Sequence, residues 1–195
     1  MNKVLHILAT ELEAQPILAA LEAKENMSAG LAKLYCGRQH DVLVSGMGPI
    51  PAAFAMGWAV RQPYTRWINL GVAGSLQQKF KTGTVLGIEK VFCDPPGFEL
   101  PTLSNLESGH VRGRLITVPQ PVHDEPTKIR LSQQADVVDM EGYALAWSAH
   151  MARIPIQICK IVSDECRSGD QHMIRQRIPE LMRELWRVWS NKNKE

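Results

Sequence analysis

Short apolar runs alternate with stretches of helical periodicity along the whole chain, and this alternation restricts the fold more than any other feature. Residues 4–9, 67–70 and 156–162 are apolar and rich in β-branched side chains. That is the pattern of strands buried on both faces, which occur in parallel sheets covered by helices on each side. The spacing predicts helices over 10–23, 50–61, 140–151 and 170–189. Pro16 is tolerated near the first turn of the first helix. The last helix carries Ile174, Ile178, Leu181, Leu185, Trp186 and Trp189 as its apolar stripe. Further strands are expected at 31–37 and 41–46, paired around Gln39-His40, and at 83–92, 114–118 and 137–138. Residues 94–112 read as a long loop, and a proline-rich connection (Pro119, Pro121, Pro126) follows the strand at 114–118. The expectation is one α/β domain over residues 1–195, a three-layer α/β/α arrangement around a mixed, mostly parallel twisted sheet.

Composition narrows the functional classes. A formal net charge of +2 over 195 residues lacks the excess and the basic stripe of a nucleic-acid binder. The basic residues Arg175, Arg177, Arg183, Arg187, Lys192 and Lys194 are spread along the last helix and read as a solvated face. No apolar run approaches the length of a membrane span, and Glu11 and Glu13 follow the first apolar run too soon for a secretory leader. Cys36, Cys93, Cys159 and Cys166 form no C-x-x-C pair, which fits reduced thiols in a cytoplasmic protein. The six histidines are scattered singly, so neither metal nor cofactor is expected.

In parallel sheets ligands bind beyond the carboxyl ends of the strands. That rule selects residues 9–13, 45–49, 70–74, 139–141 and 163–166. Each segment has a structural reading of its own. Thr10 and Glu13 have the spacing of a helix capping box. Gly46-Met47-Gly48 suits a tight turn, and Gly71-Val72-Ala73-Gly74 suits close packing after a strand. Asp139 and the Ser163-Asp164 pair are good helix caps. Taken together, carboxylates from three strand ends meet beside two glycine-rich loops. Clustered carboxylates raise one another's pKa, so that one can serve as an acid near neutrality. Cleavage of a glycosidic bond through a cationic sugar suits such a site. These residues alone leave the sugar and the leaving group open.

Five segments in this order, ATELE (9–13), SGMG (45–48), NLGVAG (69–74), VDMEGYALA (138–146) and IVSDE (161–165), resemble the methylthioadenosine/S-adenosylhomocysteine nucleosidases and futalosine hydrolases of the purine nucleoside phosphorylase superfamily. The resemblance implies a nucleoside phosphorylase-like fold and hydrolysis of the N-glycosidic bond of a 5′-modified purine nucleoside. It implies that Glu13 activates water and that Asp164, held by Ser163, protonates N7 of the departing purine. Met140 and Glu141 would hold the ribose, and Ala73 and Gly74 would line the base pocket. Gly48 belongs to the loop facing a bound oxygen.

The chain departs from the nucleosidase pattern at Val72, where serine is usual, at Lys160, where arginine is usual, and at Asp139, where glutamate is usual. The first two lie near the expected water site. Val72 favours a futalosine or aminofutalosine hydrolase serving menaquinone synthesis, with a methylthioadenosine/S-adenosylhomocysteine nucleosidase as the alternative. The benzoate of a futalosine-type substrate calls for a cation, and His123, Arg167 and Lys160 are the candidates. A purine nucleoside phosphorylase and a non-catalytic nucleoside-binding module are the remaining alternatives. The expected partners are a small-molecule nucleoside and a second copy of the chain in a homodimer, with Trp58, Trp147 and Met151 as interface candidates.

Overall fold

The computed structural model describes residues 3–30, 32–103, 111–166 and 171–192. Nine strands and five helices follow in the order β1 (Lys3–Leu8), α1 (Glu11–Leu21), β2 (Lys24–Ala29), β3 (Ala32–Cys36), β4 (His40–Val44), α2 (Pro49–Ala59), β5 (Tyr64–Ser75), β6 (Val85–Cys93), β7 (Val111–Thr117), α3 (Glu125–Ser132), β8 (Val137–Asp139), α4 (Gly142–Ala152), β9 (Ile156–Asp164) and α5 (Gln171–Lys192). The strands form one mixed sheet in the order β2-β3-β4-β1-β5-β8-β7-β6-β9. A further pairing between β5 and β9 closes strands β5, β8, β7, β6 and β9 on themselves.

The expected three layers are present. On one face Ala14 and Ile17 of α1 and Met182, Leu185 and Trp189 of α5 pack on Leu8, Ile68, Leu70, Cys159 and Ile161. On the other, Ala52, Ala55, Met56 and Ala59 of α2 meet Leu145, Ala146 and Ala149 of α4 over Leu5, Ile7, Trp67 and Ile158. Alanine at these positions lets two helices and the sheet approach closely.

Three elements differ from the sequence reading. The glycine-rich run at 71–74 is strand rather than loop. β5 spans twelve residues, pairing along β9 from Trp67↔Ile156 and, at Gly74 and Ser75, with Val138 and Val137 of β8. Strand β2 was not anticipated, because Lys24, Glu25 and Asn26 give it a polar edge. Helix α3 lies where only a proline-rich connection was expected. Asp124 caps it by accepting from the Thr127 N–H (2.9 Å), and Pro126 sits in the first turn, where its missing donor costs nothing. Pro16, by contrast, lies inside α1 and beyond its first turn. Strand β7 begins at Val111, so the irregular stretch after β6 is shorter than 94–112, with residues 104–110 outside the described range. Trp58 and Trp147 pack against the core, whereas Met151 is exposed.

Under α5, at the edge of the core, His6 is fully buried against the edges of Trp186 and Trp189 and lies 3.0 Å (Nε2 to Nδ1) from His40. Burial, then the charges of His40 and Arg66, pulls its pKa from 6.5 to about 3. The unfolded chain therefore takes up a proton at mildly acid pH that the folded protein refuses. His6 contributes stability above pH 6.5 that is lost as pH falls towards 3, with a slope of about 1.4 kcal/mol per pH unit. Urea unfolding between pH 7 and pH 5 should give slopes that differ by this amount between the native protein and His6→Gln. Equal slopes in the two proteins would contradict the assignment.

Candidate active site

The carboxyl ends of β1, β5, β8 and β9 open on a cavity of about 390 Å³. Glu13, Val72, Ala73, Gly74, Met140, Glu141, Ser163 and Asp164 all line it. Glu13, Glu141 and Asp164, which are up to 151 positions apart in sequence, thus face one space. Gly48 and Lys160 stand behind the wall, where they hold the lining carboxylates.

Each acid is fixed by donors from a different element. Glu13 forms the expected capping box: one oxygen accepts from Thr10 N–H (2.9 Å) and Thr10 Oγ1 (3.0 Å). Its other oxygen accepts from the Val72 N–H (3.1 Å), so the cap also ties α1 to β5. Capping and site placement are one arrangement here. At Val72, where serine is usual, the backbone N–H supplies this contact.

Glu141 accepts from the Gly48 N–H at 2.6 Å. Gly48 has φ +102°, a conformation that a residue with a side chain rarely adopts, and this turn aims its N–H into the site. Asp164 accepts from Ser163 Oγ (2.6 Å) and from the Cys166 N–H (2.8 Å). It caps its own loop rather than α5, which starts at Gln171. A register shift puts Ala73 opposite Val162 and Gly74 opposite Asp164, leaving Ser163 as the extra residue. Such a bulge turns the next side chain to the other face of the strand.

Asp139, which also lines the cavity, is the pivot of this wall. It accepts from Thr117 Oγ1 (2.7 Å) and from the Gly142 N–H (2.9 Å), closing the start of α4, and it pairs with Lys160 at 2.9 Å. Lys160 is 2% exposed. Burial pulls its pKa down, but Asp139, Glu141 and Glu13 outweigh this and hold it above the ordinary range, so Lys160 remains an ammonium. A side chain at Gly71 would strike both Glu13 Oε1 (3.1 Å) and Lys160 Nζ (3.2 Å), so glycine there leaves the space in which the two converge. Burial first, and the neighbouring Asp139 second, push Glu141 up to about 8, while Lys160 and the Gly48 N–H oppose the shift.

Several residues of the site carry no signal in the sequence motifs. Thr117, which holds Asp139 from behind the cavity lining, sits in an ordinary strand, and the Cys166 thiol lies against Gly74. Ile174 and Ile178 read as core stripe, yet both line the cavity, Ile178 while also packing on the sheet. Arg175 lines it too, so the basic residues of α5 do not all form a solvated face. Of the three proposed cations for a 5′ anion, His123 lines the cavity, Lys160 is committed to Asp139, and Arg167 lies outside the described residues, as does Lys194 of the basic cluster.

A sequence model of the Phosphorylase superfamily matches residues 102–184. The fold places the chain beside nucleosidases of known structure. It superposes on 5′-methylthioadenosine/S-adenosyl homocysteine nucleosidase from Helicobacter pylori with a TM-score of 0.88 and 18% identity, covering 98% of this chain and 97% of the other. Futalosine hydrolase of Helicobacter pylori gives a TM-score of 0.83 and 16% identity over the same shares. The apo 5′-methylthioadenosine nucleosidase of Arabidopsis thaliana gives 0.84 and 20%, covering 100% and 97%. No curated protein sequence matches the chain. The fold expected from the five motifs is therefore present, and the sequence model over residues 102–184 agrees with the resemblance.

Removing the ammonium while leaving its partners should be costly, because Asp139 would be a buried, uncompensated carboxylate. Lys160→Met should destabilise the fold by about 3–5 kcal/mol. Adding Asp139→Asn, which keeps the acceptor for Thr117 and Gly142, should recover part of that loss. Urea denaturation of both variants measures it, and a loss below about 1 kcal/mol would contradict the pairing.

Proposed function

We propose that the protein hydrolyses the N-glycosidic bond of a 5′-modified purine nucleoside. The observation that carries this reading is the convergence of Glu13, Glu141 and Asp164 on one cavity of nucleoside size. Glu13, with both oxygens already oriented by Thr10 and Val72, is placed to accept a proton from water. Asp164 protonates N7, so that the purine leaves as a neutral base, and the Ser163 hydroxyl holds the carboxyl in position. Glu141 accepts from the ribose hydroxyls, and its negative charge faces the cation developing at the anomeric carbon. Met140 packs beneath the sugar, and the Ala73-Gly74 backbone lies along the base.

Asp164→Asn should lower kcat by about 10²–10⁴-fold while nucleoside binding persists. Release of free ribose at a rate independent of phosphate would separate hydrolysis from phosphorolysis, and strict phosphate dependence would contradict this assignment. The raised pKa of Glu141 gives a second test. Its ionised form is the better acceptor and the better partner for a cation. On this reading kcat/KM rises as pH passes through about 8, and Glu141→Gln removes that limb while lowering activity.

Within this class the reading is a futalosine or aminofutalosine hydrolase of menaquinone synthesis, acting in the cytoplasm. Turnover of futalosine, aminofutalosine and methylthioadenosine decides the matter: cleavage of methylthioadenosine alone would make the protein a nucleosidase of that type. Among the described residues no helix is long and apolar enough to cross a membrane. A homodimer fits the exposed apolar residues Met47, Ile50 and Phe54, which run from the cavity along α2. Sedimentation of the native protein and of Phe54→Glu tests it, the variant being expected as monomer.

A further inference from the structure

The walls of the cavity differ in chemistry. The strand ends contribute Glu13, Asp139, Glu141 and Asp164, whereas α5 contributes Ile174, Arg175 and Ile178. Ile174 and Ile178 are one helical turn apart and give that wall an apolar surface. Arg175 is exposed at the same wall, and among the described residues it has no hydrogen bond or ion pair. Arg187, farther along the same helix, is instead held by Glu184 at 2.6 Å. The acid end already has its counter-ion in Lys160. Arg175 is thus an exposed guanidinium on the α5 wall of an acid-lined cavity, placed to draw an anionic group to that wall and away from the carboxylates that would repel it.

We propose that Arg175 selects nucleosides whose 5′ substituent ends in a carboxylate, with Ile174 and Ile178 packing the apolar part of that substituent. This rests on the nucleoside reading of the site and adds to it the residue that reads the 5′ group. A guanidinium matches a carboxylate with two parallel N–H···O bonds, whereas a neutral thioether gains nothing from it. The carboxylate can be carried by an aryl group, as in aminofutalosine, or by an amino acid chain, as in S-adenosylhomocysteine.

The test is kcat/KM for both compounds and for methylthioadenosine, in the native protein and in Arg175→Gln and Arg175→Lys. It is joined by calorimetric binding of the aryl carboxylate and of its methyl ester. Arg175→Gln should lower the ratio of carboxylate to neutral substrate by ~10–100-fold, mainly through KM, and the lysine variant should recover part of it. The larger loss identifies which carboxylate source the wall fits. Equal losses on charged and neutral compounds, or none on the charged ones, would overturn the proposal. If nothing is cleaved but the carboxylate still binds better than its ester only when Arg175 is present, the subsite stands and the hydrolase reading falls. Absence of binding overturns both.

Discussion

Three carboxyl groups, those of Glu13, Asp139 and Glu141, meet where the strands end, and their mutual repulsion must be opposed. The buried ammonium of Lys160, 2.9 Å from Asp139 and within the field of Glu13 and Glu141, supplies the opposition. The pair also receives support that an isolated ion pair lacks. Asp139 accepts from Thr117 and Gly142, so its remaining lone pairs are satisfied and the desolvation cost is partly offset. The site and the fold share this device: the same aspartate that neutralises the lysine closes the first turn of α4. The residues flanking Gly71 show how closely the backbone is fitted to it.

Glu141 remains the group least compensated by this arrangement. It lies two positions beyond the end of β8, desolvated, and faces a like charge, so a proton is held there more tightly than on a free carboxyl. On the proposed reaction, a sugar bearing developing positive charge would relieve that unfavourable environment. A resting site that is electrostatically uncomfortable, and a transition state that removes the discomfort, is the pattern expected where preorganised charge contributes to a rate.

The sheet-and-helix layering was legible in the sequence because buried strands must be apolar and the helices carry a periodic stripe. The five strand-end segments were legible because the apolar runs locate the carboxyl ends of the strands, beyond which ligands bind in such sheets. What was not legible has physical causes. The run at 71–74 lacks the side chains that announce a strand, and only its pairing with β8 and β9 reveals one. Helix α3 is short and begins with a proline, so its cap at Asp124 was the one local signal. Ile174 and Ile178 obey the same periodicity as the core residues that follow them. Sequence spacing cannot separate a residue that covers the sheet from one that overhangs its end. For the same reason Arg175 was grouped with the solvated charges of its helix.

The additional residue at Ser163 has a consequence for how this chain can change over time. Paired strands share parity: residues opposite each other point the same way, and one step reverses the direction. Val162 and Asp164 would point alike in an unbroken ladder, but the odd residue between them sends the aspartate to the reverse side. Loss of a single codon there would restore an unbroken ladder with the aspartate still opposite Gly74, but it would take away the Ser163 hydroxyl that holds the Asp164 carboxyl.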